Sequence, residues 1–385
     1  MNETLESLRA GIESGRLRTD EIVLNMGPQH PATHGVLRLE LVLDGEIILK
    51  VIPHMGYLHR CFEKHAEAMT YPQVIPYTDR MDYLASMNNN HGFVLAIETL
   101  MGIQVPERVE YIRVIMAELQ RIASHLVAVG TFGMDIGAFT PFLYCFRDRE
   151  YILDIFERTC GARLLYNYFW VGGLSHDVHD GFERETAAFI KHFRPTLTEL
   201  DNLLNYNKIF IERTVNVGVL PADVAINYGC SGPMLRGSGV DFDLRRDDAY
   251  SIYDRFDWEV VVGTNEVGTL GDSWNRHMVR MWEMEQSCRI IEQALESFPQ
   301  GDISEAIPKK IRPPKGEIYT RVENPRGELG YYVISDGTVN PFRVKARGPC
   351  FVNLSVIDEI SRGHLIADMT AILGSIDIVL GEVDR

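Results

Sequence analysis

A histidine pair, one isolated aspartate and a cluster of tyrosines and charges are the residues whose types and spacing suit proton chemistry in this chain. His30 and His34 stand in Gly27-Pro28-Gln29-His30-Pro31-Ala32-Thr33-His34-Gly35, four positions apart. That is the gap of a zinc-binding HxxxH, but Pro31 spoils the helix that would aim both rings at one metal. Pro31 also biases His30 toward extended backbone, so a tight turn must present His34. In such a turn His34 is either a structural residue or a hydrogen-bond and proton donor. Its ordinary pKa of about 6.5 lets it change charge near neutrality.

Asp135 is the only formal charge between Arg121 and Arg147. A carboxylate in apolar surroundings has to be paired, solvated or neutralised. Two readings stay open: an aspartate in a glycine-rich turn between helices, or a partner that orients a histidine and stabilises its imidazolium. The run Tyr77-Thr78-Asp79-Arg80-Met81-Asp82-Tyr83 gathers two tyrosines, two aspartates and an arginine. Each tyrosine is either a half-buried core residue or an apolar body with a donor tip, suited to a quinoid or aromatic ring.

Other segments carry less. Gly232-Pro233-Met234-Leu235-Arg236-Gly237-Ser238-Gly239 has the glycine spacing of a phosphate loop, but no Gly-Lys-Ser/Thr follows and the Walker A reading fails. Met278, Met281, Trp282 and Met284 read as core on a helix. The six cysteines, at 61, 145, 160, 230, 288 and 350, form no CxxC. No zinc knuckle, iron–sulfur run or redox pair is expected, only reduced thiols in or near the core. A net charge of −16 argues against nucleic acid, and against anionic lipid bound through overall charge. The start of the chain mixes both charges without an apolar stretch, so no signal peptide is expected. Nor does any segment approach the roughly 18 uninterrupted apolar residues of a membrane span.

The elements that must position these residues follow from local pattern. Residues 1–20 read as an N-terminal arm. Residues 21–60 form a β-hairpin region in which Val36 to Ile52 alternates around Asp44-Gly45, a strong turn signal. Residues 61–300 read as a helical bundle with a loop insertion near 216–272. Pro106 opens one helix, with Ile112, Ile115, Leu119, Ile122 and Leu126 at helical steps. A second helix runs from Arg147 to about Tyr168, a later one is kinked or broken at Pro195, and another spans Trp274 to Phe298. Residues 301–385 are a C-terminal β/α region packing back on the bundle. There Ile318–Val322 faces Tyr331–Ile334, and a terminal helix precedes an apolar run at Ile376–Leu380. The fold class expected is α+β: a long-helix bundle flanked by small antiparallel sheets.

Taken in order, these segments resemble the D-subunit family of proton-pumping NADH:quinone oxidoreductase, respiratory complex I. The resemblance runs from about Ile22 to Arg385. It rests on GPQHPATHGVLRL at 27–39, GYLHR at 56–60, PYTDRMDY at 76–83, FGMDIGAFTPF at 132–142, GPMLRGSG at 232–239, PRGELG at 325–330 and the terminal GEVDR. It implies the fold of the nickel–iron hydrogenase large subunit, without the two CxxC pairs that hold a metal there. It also implies a quinone headgroup site, with quinone as substrate, in place of the metal. His34 and Tyr83 match the headgroup's two hydrogen-bonding residues, and Asp135 matches the carboxylate paired with that histidine. His30 matches the lining hairpin loop, and Asp82 falls in the same matched run as Tyr83. Arg60 and Arg80 match arginines near the terminal iron–sulfur cluster held by a neighbouring subunit, and Arg385 matches the buried terminus close to the cavity.

The implied partners are the cluster-bearing B subunit, the C and I subunits, and the membrane-embedded H subunit. The chain would be held peripherally at the cytoplasmic face of the cell membrane. Two departures from the family pattern stand out. Leu165 occupies a place where many members carry histidine, and Cys61 replaces what is usually a small residue. Two rival functions stay open: a homologous quinone-reducing subunit fed by ferredoxin or another donor, and a non-catalytic scaffold with the same fold. Intact His34, Tyr83 and Asp135 favour catalysis, because a scaffold needs none of them.

Overall fold

The structure is a computed structural model that describes residues 21–385, so the N-terminal arm expected over 1–20 lies outside the described residues. The first sheet has the order β1 (Glu21–Met26), β2 (Arg38–Asp44), β3 (Ile47–His54), all antiparallel. The expected hairpin forms, with Asp44 opposite Ile47 across the turn. Alternation sends Leu39, Leu41 and Leu43 into the core while Arg38 and Glu40 stay partly exposed. Each such leucine is worth about 1.5–3 kcal/mol relative to exposure, which fixes the sheet's register.

The helices follow. They are α1 (Phe62–Ala68), α2 (Tyr71–Asp79), α3 (Ser86–Met101), α4 (Glu107–Asp135), α5 (Phe139–Cys160) and α6 (Phe182–Leu200). A two-residue strand pair, β4 (Phe169–Trp170) and β5 (Gly173–Leu174), separates the last two. Short helices α7 (Lys208–Thr214), α8 (Ala222–Tyr228), α9 (Pro233–Gly237) and α10 (Leu244–Asp247) lead to the long α11 (Ser273–Glu296). Pro106 caps α4 as expected, and α4 packs on α5 and α11 with buried residues along most of its length.

Two helix expectations are corrected. The helix read from Arg147 to Tyr168 begins earlier, at Phe139, and ends at Cys160, where Gly161 at φ +76° turns the chain out. Leu165, at φ +59°, therefore lies in a loop, pinned where the Asn167 N–H donates to Asp79 Oδ2 at 2.8 Å. Helix α6 runs through Pro195 unbroken. Phe189, Ile190, Phe193, Thr196 and Leu200 are buried on both sides of the proline, so packing outweighs one lost backbone hydrogen bond.

At the C-terminal end, β6 (Gly316–Asn324), β7 (Gly327–Ser335) and β8 (Arg343–Arg347) form the third sheet, with Ile318 opposite Val333 and Val322 opposite Leu329. Helices α12 (Pro349–Leu354), α13 (Ile357–Ser361), α14 (Met369–Ile376) and α15 (Leu380–Asp384) close the chain. The β-branched run at Ile376–Leu380 is not a strand: Asp377 turns at φ +59° between α14 and α15. Its carbonyls are taken instead by arginines, Arg280 Nη2 on Ile376 O at 3.1 Å and Arg326 Nε on Asp377 O at 3.0 Å. Strand propensity yields where side chains from other elements satisfy the backbone. The architecture is the expected α+β arrangement of long helices with small antiparallel sheets.

Candidate functional site

His34 is presented by a one-turn 3-10 helix, Pro31–Thr33, whose ends are tied by their own side chains. The Ala32 N–H donates to His30 Nδ1 at 3.2 Å, and the His30 N–H donates to Thr33 Oγ1 at 3.2 Å. His30 is thereby used as a cap on an exposed stretch, and His34 follows in the left-handed region at φ +51°. Its Nε2 lies 2.6 Å from Oδ2 of Asp135, at the C-terminus of α4, with the two side chains 14% and 5% exposed. A short, largely buried contact of this kind fixes the ring's orientation and tautomer. Gly374 makes room for it: a Cβ there would stand 2.7 Å from Phe132 and 3.1 Å from Asp135 Oδ2.

Tyr83 lies on the other side of the C-terminal segment. A Cβ on Gly35, beside His34, would meet Leu380 Cδ1 at 3.1 Å, and one on Gly381 would meet Tyr83 Cε1 at 3.2 Å. The first turn of α15 is thus packed between the histidine's turn and the tyrosine's ring. Burial, and then the Asp82 carboxylate, push the Tyr83 phenol above its usual range. Arg60 borders the same turn and donates from Nη2 to Gly381 O at 2.6 Å, while burial lowers its pKa.

The remaining candidates separate into two groups. Asp82 is fully buried and accepts from Arg326 Nη1 at 2.9 Å. Arg385 donates to Ala346 O and lies over the Phe351 ring, 5.2 Å from its centroid. Beside it Asp384 takes the Gly56 and Leu58 N–H groups at 2.8 and 2.7 Å, tying the terminus to the loop that carries Arg60. Arg80 is different: its side chain is exposed and folds back on Pro76 O at 2.6 Å. Cys61 is also exposed, against the expectation of thiols in or near the core, whereas Cys145, Cys230, Cys288 and Cys350 are buried.

Beyond this geometry, residues 135–313 and 304–385 match the family described as the 49 kDa subunit of respiratory-chain NADH dehydrogenase. The D subunit of NADH-quinone oxidoreductase from Chlorobaculum tepidum is 58% identical over 373 residues, covering 96% of this chain and 93% of that one. The D subunits of Pelodictyon phaeoclathratiforme and Chlorobium luteolum are also 58% identical over 96% of this chain, with 93% and 94% of their own lengths covered. The chain belongs to this D-subunit family.

In this family member, the residues that motif reading missed are buried arginines. Arg236 donates from Nε to Glu283 Oε1 and from Nη1 to Glu323 Oε1, both at 2.8 Å, and lies 3.2 Å from Asp243. Arg245 joins Asp243 to Glu118, and His125 Nε2 meets Glu283 at 2.8 Å. The glycines around Arg236, which suggested a phosphate loop, serve close packing. A Cβ on Gly232 would stand 2.5 Å from the Gly327 Cα, and one on Gly237 2.8 Å from Arg276. The only hint in the sequence was a lone arginine inside an apolar, glycine-rich run.

A hollow of about 730 Å³ lies on α6, lined by Arg147, Lys191, His192 and Glu199, away from the His34 pair. Arg147, His192 and Glu199 are engaged with one another or with Asp148, which leaves them poorly placed for catalysis. Among the described residues, no group of three or more His, Cys, Asp or Glu is placed to hold a metal ion, and no helix is long and apolar enough to cross a membrane.

Proposed function

We propose that this chain forms the quinone headgroup site in the peripheral arm of NADH:quinone oxidoreductase. Quinone there receives two electrons from the terminal iron–sulfur cluster of a neighbouring subunit, and two protons from His34 and Tyr83. The observation that carries this reading is the 2.6 Å contact between His34 and Asp135 on a self-tied turn, with Tyr83 across the first turn of α15. Family membership and the names of the relatives supply the reaction class.

Adding electrons to a quinone makes its two oxygens basic, so donors near both oxygens complete the conversion to quinol. Asp135 supports His34 as imidazolium. The phenol of Tyr83, kept neutral by burial and Asp82, carries the second proton. Loss of the His34 proton leaves Asp135 without its counter-charge, and that change in local charge is the event we couple to proton translocation. His30, Arg60, Arg80, Asp82 and Arg385 complete the proposed site as lining and positively charged border. The B, C, I and H subunits are the proposed partners, on the cytoplasmic face of the membrane.

The test is a double-mutant cycle. His34→Ala and Asp135→Asn each disable the same donor, so in the assembled complex the double variant is expected to be about as slow as the slower single one. Independent multiplication of the two losses in quinone reductase rate would show that the residues do not act as a unit.

A further inference from the structure

Glu382, in α15, is not one of the two quinone-facing donors proposed above, yet it is a buried carboxyl on the same short helix as Gly381, which packs on the Tyr83 ring. Its side chain is fully buried. Oε2 accepts the Cys350 backbone N–H at 3.0 Å, and Oε1 has no hydrogen-bond partner. The arginines close by are already matched: Arg326 is 2.9 Å from Asp82 and 3.2 Å from Asp377, and Arg280 is 3.7 Å from Asp377. Glu382 is left without a cation of its own. A buried carboxyl in that position is far better accommodated with its proton on.

The surroundings connect it to the phenol. Asp82 from the turn before α3, Arg326 from the β6–β7 turn and Cys350 from α12 act on both Glu382 and Tyr83. The charges of Glu382 and Asp82 also act on Tyr331 of β7, and Arg60 reaches the backbone of Gly381, next to Glu382. Gly381 itself packs on the Tyr83 ring. Gly348 leaves space for the Glu382 side chain, since a Cβ there would stand 2.7 Å from its Cγ.

We propose that Glu382 holds a proton in the resting enzyme and delivers it, by way of the Asp82 carboxylate whose charge acts on both groups, to the Tyr83 phenolate left by quinone reduction. The step is balanced. The O–H bond of Glu382 breaks and that of Tyr83 re-forms, the negative charge moves from the phenolate to the Glu382 carboxyl, and solvent later returns the proton. Burial and then the Asp82 charge push Glu382 up to about 7, below a phenol that is itself raised, so the transfer runs downhill. This rests on Tyr83 being a proton donor to quinone.

The experiment uses the assembled complex purified from membranes, as wild type, Glu382→Gln and Tyr83→Phe. Infrared difference spectra on reduction with a short-chain quinone are expected to show a protonated carboxylic C=O band that Glu382→Gln removes. The same variant is expected to lower kcat about 10-fold or more with KM unchanged. It should also abolish the decline in rate that the wild type shows as pH rises through about 7. No such band in the wild type overturns the proposal even if the variant fails to assemble, and so does a variant with wild-type kcat and pH profile. Tyr83→Phe separates the two levels. If it alone loses activity, the headgroup reading stands and Glu382 is not its proton source; if it keeps full activity, the headgroup reading fails first.

Discussion

Tyr83→Phe is expected to leave an assembled complex whose quinone reductase rate has fallen by roughly 10²–10⁴-fold, the usual worth of a positioned acid. The substitution removes one oxygen and little volume. The ring contact with Gly381 survives, and among the described residues no hydrogen bond to Tyr83 Oη is lost. Stability should therefore change little, and the loss should fall on kcat. With burial and Asp82 holding the phenol above its ordinary range, the wild-type group is fully protonated at neutral pH. Rates measured with short-chain quinones in the purified variant complex check this. Turnover close to wild type would remove Tyr83 from the chemistry.

The largest effect on stability is expected at Arg236. Arg236→Met replaces a fully buried guanidinium with an apolar chain of similar reach and leaves Glu283, Glu323 and Asp243 short of a cation. Breaking such a buried group from one side costs about 3–5 kcal/mol. Burial alone would raise Glu283, but Arg236 and the His125 hydrogen bond more than offset it and hold the carboxyl at about 2. A carboxyl with a depressed pKa stabilises the fold above its unfolded pKa, near about 4.3, and that stability is lost as pH falls toward the folded value. The variant's deficit should then be greatest at neutral pH and shrink on acidification through that window. Scanning calorimetry of the complex at several pH values reads both. A midpoint unchanged at neutral pH would contradict the network's role in holding the fold.

Elements written in local pattern are legible in the amino-acid sequence itself. The β2–β3 hairpin announces itself by alternation around Asp44-Gly45, and β6 and β7 by their apolar runs across Pro325-Arg326-Gly327. The tight turn that presents His34 follows from Pro31. Local pattern fails where distant side chains overrule local preference. Pro195 sits in a continuous helix because both its flanks are buried, and Ile376–Leu380 is no strand because Arg280 and Arg326 serve its carbonyls. The buried network stays hidden for the same reason: Arg236 meets Glu283 and Glu323 across 47 and 87 residues of chain. No spacing rule relates such residues. The pairing of His34 with Asp135 spans 101 residues; local pattern hints at it only through the isolation of Asp135 among apolar neighbours, and it is the family resemblance that implies the partner.

The most direct measurement is a structure of the assembled complex with a quinone bound. The expected result places one headgroup carbonyl within about 2.6–3.2 Å of Tyr83 Oη, and the other facing the His34 ring with Asp135 behind it. A headgroup seated elsewhere, for instance in the apolar hollow of about 330 Å³ beside Trp170 and Ile307, with His34 and Tyr83 out of reach, would contradict the assignment of this chain's quinone site.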